Sequence, residues 1–225
     1  MEWSAIYLTF RLALVVCAVL LVVGTPIAAW LAFTRWRWKF LLEAVVALPL
    51  VLPPTVLGFY VLVAMGSNSP MGRLYSRLFG HGLPFTFAGL AIASVIYSLP
   101  FAVQPMVAAF SQVDRDLLNA SAILGASRLR TFWRIVAPLS KSGIVTGAVL
   151  SFAHTLGEFG VVLMVGGNIP GVTRTVSIAI YDHVQALDYG GANRMALLLM
   201  AFSFITLSLT YAVNRRMWAV WPLPR

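Results

Sequence analysis

Two ionisable side chains, His154 and Glu158, lie four residues apart in an apolar stretch of the 225-residue chain. In a helix this spacing places both on one face. A histidine and a carboxylate are the residue types of a general acid and base. They also suit an ion pair that fixes helix packing, or a polar lining for a path, because a carboxylate at membrane depth usually faces a cavity or a partner. All three interpretations stay open at this point.

The rest of the sequence offers little for catalysis. It contains no G-x-x-x-x-G-K-[ST] phosphate-binding loop, no H-E-x-x-H metal motif and no G-x-S-x-G nucleophile motif. The single cysteine, Cys17, stands in an apolar run, where we interpret it as a small buried hydrophobe. We therefore expect that this chain is not an enzyme and that it binds no metal or cofactor itself.

Another apolar stretch contains three prolines in the run PLVLPPT, Pro49, Pro53 and Pro54, which remove backbone donors and prevent a straight helix. Lipid tolerates such a break only where the freed carbonyls face protein or a water-lined cavity. A packing kink is the alternative interpretation of the prolines. The residues predicted to form a translocation path or gate are Pro53, Pro54, His154, Gly157, Glu158, Phe159 and Gly160.

The elements that must position these residues are membrane spans. Hydrophobic residues make up 60% of the chain and charged residues 10%, which excludes an ordinary soluble domain. A spanning helix needs about 20 apolar residues. We predict an all-α polytopic membrane protein with one domain, residues 1–225, and five transmembrane helices, at about 6–33, 40–65, 85–110, 144–165 and 195–213.

The distribution of Lys and Arg between the loops predicts the orientation. With the N-terminus outside, the cytoplasmic loops receive most of the basic residues, including Arg35, Arg37 and Lys39. The outer loops receive Arg73, Arg77, Arg174 and Arg194. The formal net charge of +9 is then explained by loops that face anionic lipid, and no nucleic-acid partner is expected.

A charged, helix-patterned segment at 114–138 lies between two spans on the predicted cytoplasmic side. Asp114 and Ser127 are suited to cap two short helices, Gly125 to end the first with left-handed or tightly packed backbone, and Pro138 to stop the second. The segment is either an amphipathic linker on the membrane surface or a docking element. Its apolar faces would be Leu117, Ala120, Ser121 and Leu124, then Leu129, Phe132, Trp133 and Val136.

This segment resembles the Glu-Ala-Ala loop of the permease subunits of binding-protein-dependent ABC importers. Asn119 stands where that family usually has Glu, and Ser121 where it usually has Ala. The resemblance implies the five-helix core of a type I importer permease, with a cytoplasmic coupling helix that docks in a cleft of the ATP-hydrolysing subunit. The coupling residues that it implies are Asn119, Ala120, Ser121, Gly125, Ala126, Ile135 and Pro138.

The motif Gly157-Glu158-Phe159-Gly160, the run after it and PLVLPPTVLG resemble the molybdate permeases of that class, and less closely the sulfate permeases. The resemblance implies a homodimer in the inner membrane with two ATP-binding subunits, which carry the ATP and Mg, and a periplasmic molybdate-binding protein. The Lys and Arg distribution predicts a periplasmic N-terminus and a cytoplasmic C-terminus. Tungstate and sulfate remain alternative cargoes. The contacts implied for the binding protein are Asn168, Pro170, Gly171 and Arg174.

Two other classes of function compete with this one. A gradient-driven carrier or channel predicts an internal repeat of membrane segments, which the sequence does not show, and leaves segment 114–138 unexplained. An intramembrane enzyme that used His154 and Glu158 would need a nucleophile or metal set nearby. We therefore favour the permease subunit of an importer driven by a separate ATPase.

Overall fold

The computed structural model describes residues 2–219, with side chains for 2–208 and 210–212, and no strand occurs among them. Helices follow one another along the chain, and the segment between α7 and α8, Phe132–Val136, is a π-helix. The helices are α1 (Trp3–Phe33), α2 (Lys39–Val51), α3 (Pro54–Met65), α4 (Pro70–Phe79), α5 (Phe87–Ser111), α6 (Arg115–Ile123), α7 (Arg128–Thr131), α8 (Ala137–Leu139), α9 (Lys141–Gly157), α10 (Gly160–Gly166), α11 (Val176–Gln185) and α12 (Tyr189–Ala219).

Within these residues, three single helices are long and apolar enough to cross a membrane: α1, α5 and the part of α12 up to residue 212. Two bent pairs raise the number to five if each pair is one span. The pair α2 and α3 is bent by 114°, and the helical run 128–139 meets α9 at 77°. The all-α polytopic fold predicted from the sequence is confirmed.

Two predicted spans are not single helices. Stretch 40–65 divides at Leu52 and Pro53, which are both extended, with ψ of 136°. A residue that precedes proline is driven out of the helical region, so the two consecutive prolines end α2 and start α3. Stretch 144–165 divides at Glu158 and Phe159, which therefore lie between α9 and α10 rather than inside a helix.

Helices α1, α5 and α9 form the centre of the protein. Leu12, Val16 and Leu20 of α1 are completely buried in the same cluster as Val103 of α5. A Cβ atom built on Gly147 of α9 would lie 2.6 Å from the backbone oxygen of α5 residue 102. Because Gly147 has no side chain, α9 can pack closely against α5, as small residues allow between membrane helices.

Contacts between loops define two sides of the helix bundle. On one side, Glu2 pairs with Arg174, and the Phe85 N–H donates to the Val165 carbonyl at 2.9 Å. On the other side, the Ser140 hydroxyl donates to the carbonyl at residue 109 at 3.2 Å. The N-terminus therefore shares its side with the loops near 85 and 174. The predicted cytoplasmic C-terminus, at Arg225, lies outside the described residues.

Segment 114–138 forms the predicted pair of short helices. The Asp114 carboxylate accepts from the Asp116 N–H at 2.8 Å, and the Ser127 hydroxyl accepts from the Arg130 N–H at 3.3 Å, so both predicted caps are present. Gly125 has φ +75°. The N–H groups of residues 125 and 126 bond the carbonyls of residues 122 and 121, which completes a Schellman C-cap. The predicted left-handed glycine is confirmed, and no atom lies within 4 Å of a Cβ built there.

Two details of this segment differ from the predictions. Pro138 does not stop the second helix, because the π-helical turn before it lets the run continue to Leu139. Leu124 follows the last residue of α6 and is 85% exposed. Ser121, by contrast, is buried against the second helix, where its hydroxyl lies 2.7 Å from that of Thr131. The face predicted for the first helix is therefore only partly the one that is buried.

Candidate functional site: a cavity between two helix breaks

A cavity of about 600 Å³ lies where the two breaks meet. It brings together two groups of predicted path residues, one on α3 and one at the end of α9 and the start of α10, which are about 100 positions apart in the sequence. Pro53 is the one predicted residue that is not in its lining; it is the N-cap of α3. The lining residues are Pro54, Thr55, Tyr97, Ala153, His154, Gly157, Glu158, Phe159 and Gly160.

Glycines hold the two breaks together. A Cβ built on Gly160 of α10 would lie 2.7 Å from the Pro54 Cβ, and one on Gly58 of α3 would lie 2.8 Å from the Met164 Cβ. Both distances are shorter than real side chains permit. The close packing of α3 on α10 therefore requires glycine at these positions, and it fixes one wall of the cavity.

His154 does not pair with Glu158. Its Nδ1 lies 2.9 Å from the Ser98 hydroxyl on α5, which in turn lies 3.0 Å from the Thr155 hydroxyl. The imidazole also stacks on the Phe101 ring with centroids 3.9 Å apart. The predicted pair assumed that the helix continued through Glu158, but α9 ends at residue 157 and the carboxylate leaves the helical face.

Glu158 is a buried carboxylate without a partner. Glu158 is only 4% exposed, and neither of its carboxylate oxygens accepts a hydrogen bond from the described part of the chain. The Ser94 hydroxyl lies near the Glu158 carboxylate, but this hydroxyl also has no hydrogen-bond partner within the described residues. Burying an uncompensated carboxylate is costly, so such a group in a spanning region indicates function rather than packing.

A second cavity of about 340 Å³ continues along α5 and α9. It shares a wall with the first, because Phe101 lines it and stacks on His154. Tyr97, Phe101 and Gln104 follow one another at helical spacing, so both cavities lie on one face of α5. We call the two cavities together the groove. The second cavity is lined by Leu50, Pro100, Phe101, Gln104, Pro105, Ala108 and Leu150.

Sequence reasoning did not select Tyr97, Phe101 or Gln104. The polar amide of Gln104 inside a predicted span was the available signal. The aromatic residues gave none, because aromatic side chains are common in spans. Only the packing of α5 against α9 shows that these rings line the groove.

The residues predicted to contact a binding protein lie on the side of the N-terminus. Asn168, Pro170 and Gly171 are exposed. Arg174 is only 18% exposed at its side chain, because its guanidinium pairs with Glu2 at 2.8 Å and with Asp182 at 3.0 Å. The structure therefore gives Arg174 a position inside an ion-pair network rather than on the free surface.

The same network extends to the start of α12. His183 Nε2 lies 3.5 Å from the Glu2 carboxylate, and its Nδ1 lies 2.9 Å from the Asp188 carboxylate. The Asp188 carboxylate also accepts from the Gly191 N–H at 2.9 Å. This backbone hydrogen bond, aided by His183, lowers the pKa of Asp188 below its ordinary value. The network ties the N-terminus, the loop before α11 and α12 together.

Segment 114–138 presents apolar side chains on the opposite side. Leu124 and Leu129 are 85% and 68% exposed, and Trp133 is 64% exposed. Large apolar groups concentrated on a short, well-capped element mark an interaction surface. Of the predicted coupling residues, Asn119, Ala120, Gly125 and Pro138 are exposed, Ala126 and Ile135 are half-buried, and Ser121 is buried.

Residues 24–219 match the family described as "Binding-protein-dependent transport system inner membrane component". The chain belongs to this family. The permease is 54% identical over 214 residues, 95% of each chain, to the molybdenum transport system permease protein ModB of Azotobacter vinelandii. It is 37% identical over 207 residues to ModB of Escherichia coli K12, covering 92% of this chain and 90% of that one.

The fold of the permease is that of solved ABC importers. The crystal structure of a bacterial ABC transporter that imports the acidic polysaccharide alginate matches with a TM-score of 0.76. The match covers 95% of this chain and 78% of that chain at 15% sequence identity. The type I importer fold implied by the sequence is thereby confirmed.

Proposed function

We propose that this permease is the membrane subunit of an ATP-driven importer that carries molybdate across the inner membrane. The observation that supports the cargo is the 54% identity to a molybdenum permease along 95% of both chains. The family match and the fold support the class of transporter. The chain itself hydrolyses no ATP, and ATP with Mg binds to a separate subunit.

The proposed complex contains two copies of the permease, two ATP-binding subunits and a periplasmic molybdate-binding protein. The groove supports the homodimer, because along α5 and α9 it is open to the outside of a single chain, and a path needs a second wall. The exposed Leu124, Leu129 and Trp133 support docking of the ATP-binding subunit on segment 114–138. The exposed Asn168 and Pro170 support contact with the binding protein on the other side.

The groove supports a transient path rather than a tight binding site. Its lining is mostly apolar and aromatic, with few polar groups, chiefly those of His154, Glu158 and Gln104. A translocated ion must bind well enough to enter and weakly enough to leave. Capture of the oxyanion by a soluble protein and release by ATP-driven movement of the helices fit such a lining. The helix breaks at Pro53 and Glu158 supply the places where the chain can bend.

Transport measurements test this proposal. The permease, its ATPase and its binding protein are reconstituted in proteoliposomes, and uptake of molybdate, tungstate and sulfate is measured with and without ATP. We expect uptake of molybdate that requires ATP and the binding protein. Uptake driven by an ion gradient without ATP would contradict the class, and uptake of sulfate in preference to molybdate would contradict the cargo.

A further inference from the structure

The short helix α4 connects α3 to α5 on the side of the N-terminus. Its first turn is capped by the Ser69 hydroxyl, which accepts from the Gly72 N–H at 2.8 Å, and its end is closed by Gly80 with φ +76°. Gly72 is buried against the C-terminal carbonyls of α3, at residues 65 and 66, so closely that no side chain would fit. Tyr75 packs against the core cluster of α3. Helix α4 is therefore firmly attached where α3 ends.

The helix has three distinct faces. Gly72 and Tyr75 face the protein. Arg73 and Arg77, one turn apart, are exposed, and neither forms an ion pair among the side chains that the structure describes. A third face is apolar and exposed, with Met71 at 44%, Leu74 at 60% and Leu78 at 69% exposure.

The basic and apolar exposed faces are adjacent, because Leu74 and Arg77 are three residues apart and are therefore neighbours on the helix surface. This arrangement is typical of helices that lie in a membrane interface, with apolar side chains among the acyl chains and cations at the level of the phosphates. A third exposed arginine lies near the start of α5. Arg11 of α1 is exposed and held over the ring of Phe87, the first residue of α5, with its guanidinium carbon 4.3 Å from the ring centroid.

We propose that α4 binds the surface of the lipid bilayer, with Arg73 and Arg77 on phospholipid phosphates and Met71, Leu74 and Leu78 in the acyl region. The helix thereby anchors the C-terminal end of α3, whose first residues, Pro54 and Thr55, line the cavity. Lipid is the partner that satisfies both exposed faces at once. An acidic protein surface would match the two arginines but would leave the three apolar side chains in water.

Depth measurements test the position of the helix. In a Cys17→Ala background, Met71→Cys and Val172→Cys are each labelled with an environment-sensitive fluorophore, and the whole transporter is reconstituted with phospholipids brominated on the acyl chains. The two positions are matched, since both residues are 44% exposed. We expect strong quenching at residue 71, at a depth of about 5–10 Å below the headgroups, and little at residue 172. Equal quenching at both sites would overturn the proposal.

Lipid affinity tests the two arginines. Binding of phosphatidylglycerol and phosphatidylcholine to the detergent-solubilised transporter is measured for the double variant Arg73→Gln/Arg77→Gln and for the control Arg194→Gln. We expect the double variant to bind the anionic lipid roughly tenfold more weakly and the control to be unchanged. Unchanged binding in the double variant would contradict the proposal. So would protection of the residue-71 label by the soluble binding protein instead of by lipid.

Discussion

At the scale of single residues, Glu158 has the most informative environment. It is buried at the edge of the larger cavity, both oxygens lack hydrogen bonds in the described chain, and His154, four residues earlier, is bonded to Ser98 instead. A packing role for Glu158 would need a partner, and among the described residues neither of the polar groups near it, Ser94 and Tyr97, forms a hydrogen bond with its carboxylate. We therefore expect the carboxylate to be part of the path.

This explanation predicts different outcomes for two substitutions. Glu158→Gln keeps the shape and hydrogen-bonding groups of the side chain but removes its charge, so we expect ATP hydrolysis to persist while molybdate uptake, or its coupling to hydrolysis, changes. Glu158→Ala leaves a void, and we expect it also to lower the yield of folded protein. Uptake and hydrolysis are measured in proteoliposomes. Wild-type uptake and coupling in the Gln variant would contradict a role in the path.

Gly125 allows a second test at this scale, because its φ of +75° is combined with open space around the missing side chain. Gly125→Val should cost roughly 1–2 kcal/mol in the left-handed region, whereas Gly125→Asn, a residue that tolerates this conformation, should cost less. We expect the Val variant to insert normally and to copurify poorly with the ATPase, and the Asn variant to copurify well. Equal recovery of the ATPase with both variants would mean that the backbone at Gly125 does not position the docking surface.

At the scale of elements, the decisive feature is the contact between α3 and α10. Each helix starts at a break, and the glycines Gly58 and Gly160 allow them to approach closely. One wall of the cavity thus depends on two helices that are too short to span a membrane separately. The sequence motif around Glu158 contains two glycines, but only one of them has this role.

The two glycines predict a matched comparison. Gly160→Ala places a Cβ 2.7 Å from the Pro54 Cβ, whereas a Cβ at Gly157 would have no atom within 4 Å. Forcing an extra methyl into a packed contact costs about 1–3 kcal/mol. We expect Gly160→Ala to lower the melting temperature of the purified complex and Gly157→Ala to leave it nearly unchanged. The reverse order would show that α3 and α10 do not pack as described.

At the scale of the whole molecule, the ion-pair network on the N-terminal side joins segments from both ends of the chain. Arg174 bonds Glu2, 172 residues away, and Asp182. Loss of the guanidinium would leave two carboxylates with no shared cation. The network therefore holds α1 against the loop that leads into α11.

Removal of Arg174 should destabilise this side of the protein. We expect Arg174→Gln to cost roughly 1–3 kcal/mol, the value of charge-assisted hydrogen bonds that are partly exposed, and to make the N-terminus more accessible to protease. Arg194→Gln is the control, since Arg194 is exposed and forms no ion pair among the described residues. Thermal unfolding and limited proteolysis report the two effects. Identical stability and protease sensitivity of the two variants would show that Arg174 has no structural role.

The orientation of the whole chain is a further prediction. The basic residues near 35–39 and 128–141 should face the cytoplasm, with Glu2 and Arg174 on the periplasmic side. A reporter active only in the cytoplasm should give signal when fused after Arg225 and none when fused before Trp3. Signal at the N-terminal fusion with silence at the C-terminal one would invert the assignment.

The sequence by itself determined the local features of this permease: the apolar spans, the proline break, the caps at Asp114 and Ser127 and the left-handed Gly125. Each depends on neighbouring residues only, through helical periodicity, missing N–H groups or the lack of a Cβ. Helix α4 also depends on neighbouring residues only, but the search for membrane spans does not predict it, because its apolar stretch is too short to cross a membrane.

The tertiary structure alone decided which side chains meet. Ser98 reaches His154 across 56 positions, and Arg174 reaches Glu2 across 172. It also decided that the Glu158 oxygens stay unpaired and that Tyr97 and Gln104 line one groove. Such contacts depend on the orientation of α5 and α9 about their own axes and on the distance between them. A span that is apolar on all sides carries no pattern that predicts this orientation. The hydrophobic pattern determined that the helices cross the membrane, and close packing through glycines determined which faces look inward.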